Sequence, residues 1–149
     1  MFLHFQPERT SIPEGGRYAP QINAVKALRD ALPEATELVV KEHPSMFMLK
    51  SKRSFRHPDF YRILASMRGV ALVDERMASF DLIDESEAVV TLTGTVGFEA
   101  LCRGTPVIVM GDAAYRSYPG VVDLYDRPMV ESIWQMKLSW RGKVFQLKR

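Results

Sequence analysis

Thr93, Gly94, Thr95 and Glu99 fall where an apolar run, Ala88 to Leu92, gives way to helix formers. A glycine turn between a strand and a helix aims unpaired backbone N–H groups and the positive end of a helix dipole at one spot, which suits a phosphate. With Thr95 as the N-cap, its hydroxyl and the next amides bond a phosphate or one another. Gly94 and Gly97 let a ligand approach the backbone. Glu99 lies one turn in, on the Thr95 side, and helical side chains lean toward the N-terminus, so its carboxylate reaches for a ribose hydroxyl. The plainer alternative is a capped helix with an acid near its start, a dipole interaction worth ~0.3–1 kcal/mol.

His43 is the second candidate, in Lys41-Glu42-His43-Pro44. A histidine leaving a strand end can donate an N–H to a phosphate oxygen, and equally well to a loop carbonyl. Pro44 biases it toward an extended backbone, which partly presets its direction. Near the start of the chain, strand alternation puts His4 and Gln6 on one face. Glu8 and Arg9 either orient a substrate or form a solvated pair worth little. No general acid/base pair stands out; Glu8, the acid of a rim-facing loop beside polar residues, is the single candidate for that work. Asp112 and Tyr115 offer a carbonyl or a ring to a base. Lys50 to Arg56 reads as a solvated basic face, or else as a contact for an acidic glycan. Asp74, Glu75, Asp81, Asp84 and Glu85 read as surface charge.

The elements that must position these residues follow from periodicity. Strands are expected at Phe2 to Gln6, Glu37 to Lys41, Val70 to Val73, Ala88 to Leu92 and Pro106 to Met110. Helices are expected at Pro20 to Leu32, stopped by Pro33, at Pro58 to Met67, at Met77 to Glu85, after Thr95, and at Met129 to Leu138 before a basic tail, Arg141 to Arg149. Residues 7–19 and 112–128 read as loops, and 45–56 as loop or frayed helix. Alternating strands and helices predict an α/β fold: a parallel sheet of about five strands, covered on both faces. Ligands of such sheets bind outside the carboxyl ends of the strands, where the order reverses. Gln6, His43, Thr93 to Thr95 and Gly111 all follow strand ends and share that rim.

The bulk numbers set limits. A chain of 149 residues fits one domain, and 46% hydrophobic with 26% charged residues is an ordinary globular balance. A net charge of +2 asks for neither nucleic acid nor an anionic membrane, and it suits an anionic small ligand. Cys102, the one cysteine, excludes an internal disulfide and points to a reducing, cytoplasmic setting. No zinc-type cluster, signal peptide or membrane-length apolar run is visible.

Three segments together carry a resemblance: His4-Phe-Gln-Pro-Glu-Arg-Thr10, Lys41-Glu-His-Pro44, and Thr93-Gly-Thr-Val-Gly-Phe-Glu-Ala-Leu101 with Gly104 and Pro106-Val-Ile-Val109. The chain resembles the capsule polysaccharide biosynthesis family, which includes β-Kdo transferases and related surface-carbohydrate glycosyltransferases. The resemblance implies the C-terminal, donor-binding half of a two-domain GT-B enzyme. It assigns His43 and Pro44 to the donor phosphate, and Thr93, Gly94, Thr95 and Glu99 to phosphate and ribose. Gln6 and Pro7 match a motif near the start of that domain. It further implies a CMP- or UDP-linked sugar donor, a glycan acceptor and no metal or other cofactor. The implied place is the inner face of a bacterial inner membrane, beside an export complex.

A complete member carries an acceptor domain ahead of this segment, and the expectation from Met1 is that none precedes Phe2. One expectation is therefore a single Rossmann-like domain, residues 1–149, that depends on a partner N-terminal domain or self-association and is inactive alone. The rivals are a truncated, non-catalytic interaction module and a nucleotide-sugar epimerase of the same fold.

Overall fold

A computed structural model describes residues 1–8, 12–48 and 56–124. Arg9, the basic residues Lys50, Lys52 and Arg53, the expected helix at 129–138 and the tail beyond it lie outside the described residues.

The apolar runs sort into layers by strand alternation. Every residue of β3 (Val89–Thr91) and β4 (Val107–Val109) is buried, as expected for parallel strands covered on both faces. Val90, Leu92, Ile108 and Met110 pack with Val25, Leu28, Leu38, Val40, Phe60 and Leu64 in one core. Val89, Val107 and Val109 turn the other way, onto Ile83, Ala100, Leu101 and Tyr115. Thus α1 (Gln21–Ala31) and α3 (Phe60–Ser66) cover one face, and α4 (Ser79–Glu85) and α5 (Thr95–Cys102) the other. Each fully buried leucine, such as Leu28 or Leu64, contributes about 1.5–3 kcal/mol to this arrangement.

All strand pairs are parallel. β1 (Leu38–Lys41) pairs with β2 (Val70–Val73), β3 with β4, and β4 with β5 (Val121–Asp123). Residues 1–3 run between β1 and β3 and join the two sheets. Lys41 N–H donates to the Met1 carbonyl at 3.0 Å, Leu3 N–H to the Lys41 carbonyl at 2.9 Å, and Phe2 N–H to the Val90 carbonyl at 2.9 Å. The lateral order is therefore β2, β1, the N-terminal segment, β3, β4, β5. It is a Rossmann-like, doubly wound α/β fold. The order reverses between the N-terminal segment and β3.

Several expectations shift. The strand at Phe2 to Gln6 shrinks to one bridge, Phe2 to Lys41, because side chains take over its backbone groups from His4 onward. The Gln21 amide accepts the His4 N–H at 2.8 Å and donates to the His4 carbonyl at 3.0 Å. The loop expected at 112–128 contains β5, while the stretch from 45, expected as loop or frayed helix, opens with a short helix, α2 (Ser45–Met48). Gly16–Tyr18 forms a 3-10 turn within the expected loop 7–19.

Candidate functional site

At the carboxyl ends of the strands, beside the order reversal, lies a cavity of about 300 Å³. Glu8, His43, Pro44, Thr93, Gly94, Thr95 and Glu99 all line it, together with His4, Lys41, Glu42, Ser79, Thr91 and Val96. Of the residues expected to bind, Gln6 is absent from the wall. A larger cleft of about 440 Å³ opens at the amino ends of the strands, among Leu32, Glu37, Leu82, Glu85 and Glu87. Lys41 reaches its edge too, but Glu37, Glu85 and Glu87 outweigh it there and no helix N-terminus serves the cleft, so chemistry and topology both favour the smaller cavity.

The glycine turn is built from below by His4. Gly94 N–H donates to Thr91 Oγ1 at 3.2 Å, and Thr91 Oγ1 lies 2.9 Å from His4 Nε2. Thr93 N–H points at the same nitrogen from 3.4 Å. These partners fix Nε2 as an acceptor, with the ring proton on Nδ1. Burial pushes the His4 imidazole down to about 4; Glu8 opposes the shift, while His43 and Arg56 reinforce it. The ring is neutral at neutral pH, which this hydrogen-bond chain requires.

The anion-receptive amides move accordingly. Thr93 and Gly94 have internal partners for their N–H groups. Gly94, not Thr95, is the N-cap, with φ −67° and ψ 151°, and no side chain caps the helix. Thr95 and Val96 are then the first two helical residues, whose N–H groups have no acceptor within the helix. Among the described residues nothing else accepts from them, and both line the cavity. Glu99 follows Thr95 by one full turn on the same face, and its carboxylate is half-buried at the wall.

The glycines serve the protein's own side chains rather than a ligand. A Cβ on Gly94 would meet His4 at 3.1 Å and Thr91 Oγ1 at 3.0 Å, and one on Gly97 would sit 2.2 Å from Tyr115 Oη. Tyr115, expected to offer its ring to a base, instead lies buried over α5 and donates to the Gly94 carbonyl. Burial pushes its phenol up to about 12, so it stays a donor.

Opposite the turn, His43 Nδ1 accepts the Ser45 N–H at 3.2 Å. A neutral ring so held carries its proton on Nε2, the tautomer that donates to an anion. Its backbone N–H donates to Glu42 Oε1 at 2.8 Å. Glu42 anchors a buried network. Arg56 makes a two-pronged pair with it at 3.0 and 2.9 Å, and donates to Gln6 Oε1 at 2.7 Å and the His4 carbonyl at 2.9 Å. Tyr61 donates to Glu42 Oε2 at 2.9 Å, and burial first, then Glu42, pushes its phenol up to about 12. Gln6 is spent within this network, its amide also donating to the Ala19 carbonyl at 2.6 Å. Arg56, expected on a solvated face, is only 6% exposed and ties the N-terminal segment to the end of β1.

A family model for capsule polysaccharide biosynthesis proteins matches residues 16–147. The chain belongs to the capsule polysaccharide biosynthesis family. The family resemblance is thereby supported, the matched residues holding the second and third motifs, and the chain's role lies in capsule polysaccharide biosynthesis. No match to a curated protein or to a solved structure was found. Among the described residues of this capsule-family chain, no helix is long and apolar enough to cross a membrane.

Sequence reasoning set His4 at the first strand end without giving it a role, and did not assign Lys41, Glu42, Thr91 or Val96 to the site. Two of them left a signal. Lys41 ends an otherwise apolar strand, and Thr91 stands between buried residues three places before the turn glycine. Glu42 gave none, since its partners Arg56 and Tyr61 come from distant parts of the chain.

Proposed function

We propose that this cavity holds the activated donor of a glycosyltransferase, a CMP- or UDP-linked sugar destined for a capsular or other surface polysaccharide. One observation carries the reading: the unaccepted Thr95 and Val96 amides and the donor tautomer of His43 line one cavity at the order reversal. Both are donors, and a phosphate oxygen is the acceptor common to them. Thr93, Gly94 and Pro44 hold the donors in place, and Glu99 takes the ribose hydroxyls.

In the transfer, the bond from the sugar's anomeric carbon to the donor phosphate breaks as the acceptor hydroxyl attacks. The negative charge gathers on the leaving phosphate, where preorganised amides and His43 Nε2–H stabilise it. Glu8, exposed at the cavity wall, receives the acceptor's proton in this reading. The acceptor glycan is held by a second domain in this reading.

Calorimetric titration with CMP, UMP and UDP tests the reading. Binding that weakens about tenfold in His43→Ala is expected, the loss of one charge-assisted hydrogen bond of about 1.5 kcal/mol. The absence of heat with every pyrimidine nucleotide and nucleotide-sugar would exclude it.

A further inference from the structure

We propose that Lys41 supplies the positive charge of the cavity, its ammonium facing the phosphate of a nucleotide; this rests on the donor-binding reading above. Lys41 is 4% exposed and stands between the two hollows, lining this cavity as well as the larger cleft, and its Nζ turns to the carboxyl-end side, where Glu75 follows β2. Its Nζ makes one hydrogen bond, to the Glu75 carbonyl at 2.6 Å. An ammonium has three N–H donors, so two remain. Buried cations are ordinarily paired, yet among the described residues no carboxylate pairs with this one.

The neighbouring acid cannot neutralise it. Glu42 follows the last residue of β1 and lines the same cavity, but its carboxylate is turned to Arg56. The Glu42 carboxylate is already committed to Arg56, Tyr61 and the His43 N–H. Arg56 is not an equivalent cation, because Glu42 cancels its charge. Lys41 is thus the uncompensated buried charge beside the Thr95 and Val96 amides and His43.

The same wall defines the ligand class. Glu8 and Glu99 also line the cavity and oppose a bare polyanion. A carboxylate accepts from hydroxyl groups, so the fitting ligand joins an anionic centre to hydroxyls, as a nucleoside phosphate does. Glu75 offers Lys41 only a carbonyl, which the ammonium keeps while it takes the phosphate.

Titration of wild type, Lys41→Met and Lys41→Arg with CMP and UDP, and with cytidine and uridine, tests the assignment. Lys41→Met is expected to weaken both nucleotides at least tenfold (about 1.4 kcal/mol), with nucleoside affinity unchanged and Lys41→Arg intermediate. Equal nucleotide affinity in Lys41→Met overturns the Lys41 assignment and leaves the donor-binding reading intact. A wild type that binds no nucleotide overturns both. Should Lys41→Met fail to fold, the wild-type side-chain nitrogen resonance of Lys41 decides. It must shift with CMP and not with cytidine, and an unmoved resonance overturns the assignment.

Discussion

A single methyl group at Gly97 tests whether the glycines of α5 exist for close packing rather than for ligand access. In Gly97→Ala the new Cβ would lie 2.2 Å from Tyr115 Oη, 2.8 Å from Cζ and 2.9 Å from Cε2. The ring must move, and its hydrogen bond to the Gly94 carbonyl breaks. Overpacking costs about 1–3 kcal/mol, and the lost bond about 0.5–1.5 kcal/mol. Alanine returns about 1 kcal/mol of helix propensity. The net expectation is a loss of about 2 kcal/mol, read as a lowered urea midpoint at constant slope. Tyr115→Phe removes the nearest clashing atom, Oη, which is also the one that bonds, and leaves the milder contacts of Cζ and Cε2. The double mutant should therefore be more stable than the sum of the single effects, by about 1 kcal/mol. Stability of Gly97→Ala within ~0.5 kcal/mol of wild type, or a strictly additive cycle, would refute the packing argument.

Arg56→Met strands the Glu42 carboxylate in a buried place, so a loss of about 3–5 kcal/mol is expected on denaturant unfolding; a loss below about 1 kcal/mol would show the pair to be dispensable. The His4 imidazole has a folded value of about 4, below its unfolded 6.5. The unfolded chain therefore binds the proton first, and stability falls as the pH drops from about 6.5 to about 4, by about 3 kcal/mol. His4→Asn should flatten that part of the stability profile, and an unchanged slope would contradict the assignment.

The interior elements were legible because their patterns are local. Ile22, Val25 and Leu28 repeat at helical spacing, and α1 forms there; Val70 to Val73 is β2 to the residue. The start of the chain was half legible. Its apolar alternation is real, but Gln21 and Arg56, distant in sequence, take the backbone groups of His4 that a neighbouring strand would have taken. β5 escaped because Val121–Asp123 is too short to show a period and follows Pro119 and Gly120.

The site divides in the same way. The glycine turn and His43-Pro44 announce themselves by residue type. Which amides remain for a ligand does not, because it depends on His4 and Thr91 meeting beneath the turn. Arg56 illustrates the limit: a basic stretch says surface, and only the fold shows that one member of it is buried against Glu42.

The most direct test of the anion site is Thr95→Pro. Proline fits the first helical position, and Gly94 already has the extended backbone that a residue before proline prefers. The change deletes one amide N–H while leaving the helix intact; Thr95→Ala, which keeps that amide, controls for the hydroxyl. An anion site at these amides requires at least tenfold weaker CMP or UDP binding in Thr95→Pro, an undiminished melting temperature, and a much smaller loss in Thr95→Ala. Nucleotide binding by Thr95→Pro at wild-type strength would contradict it.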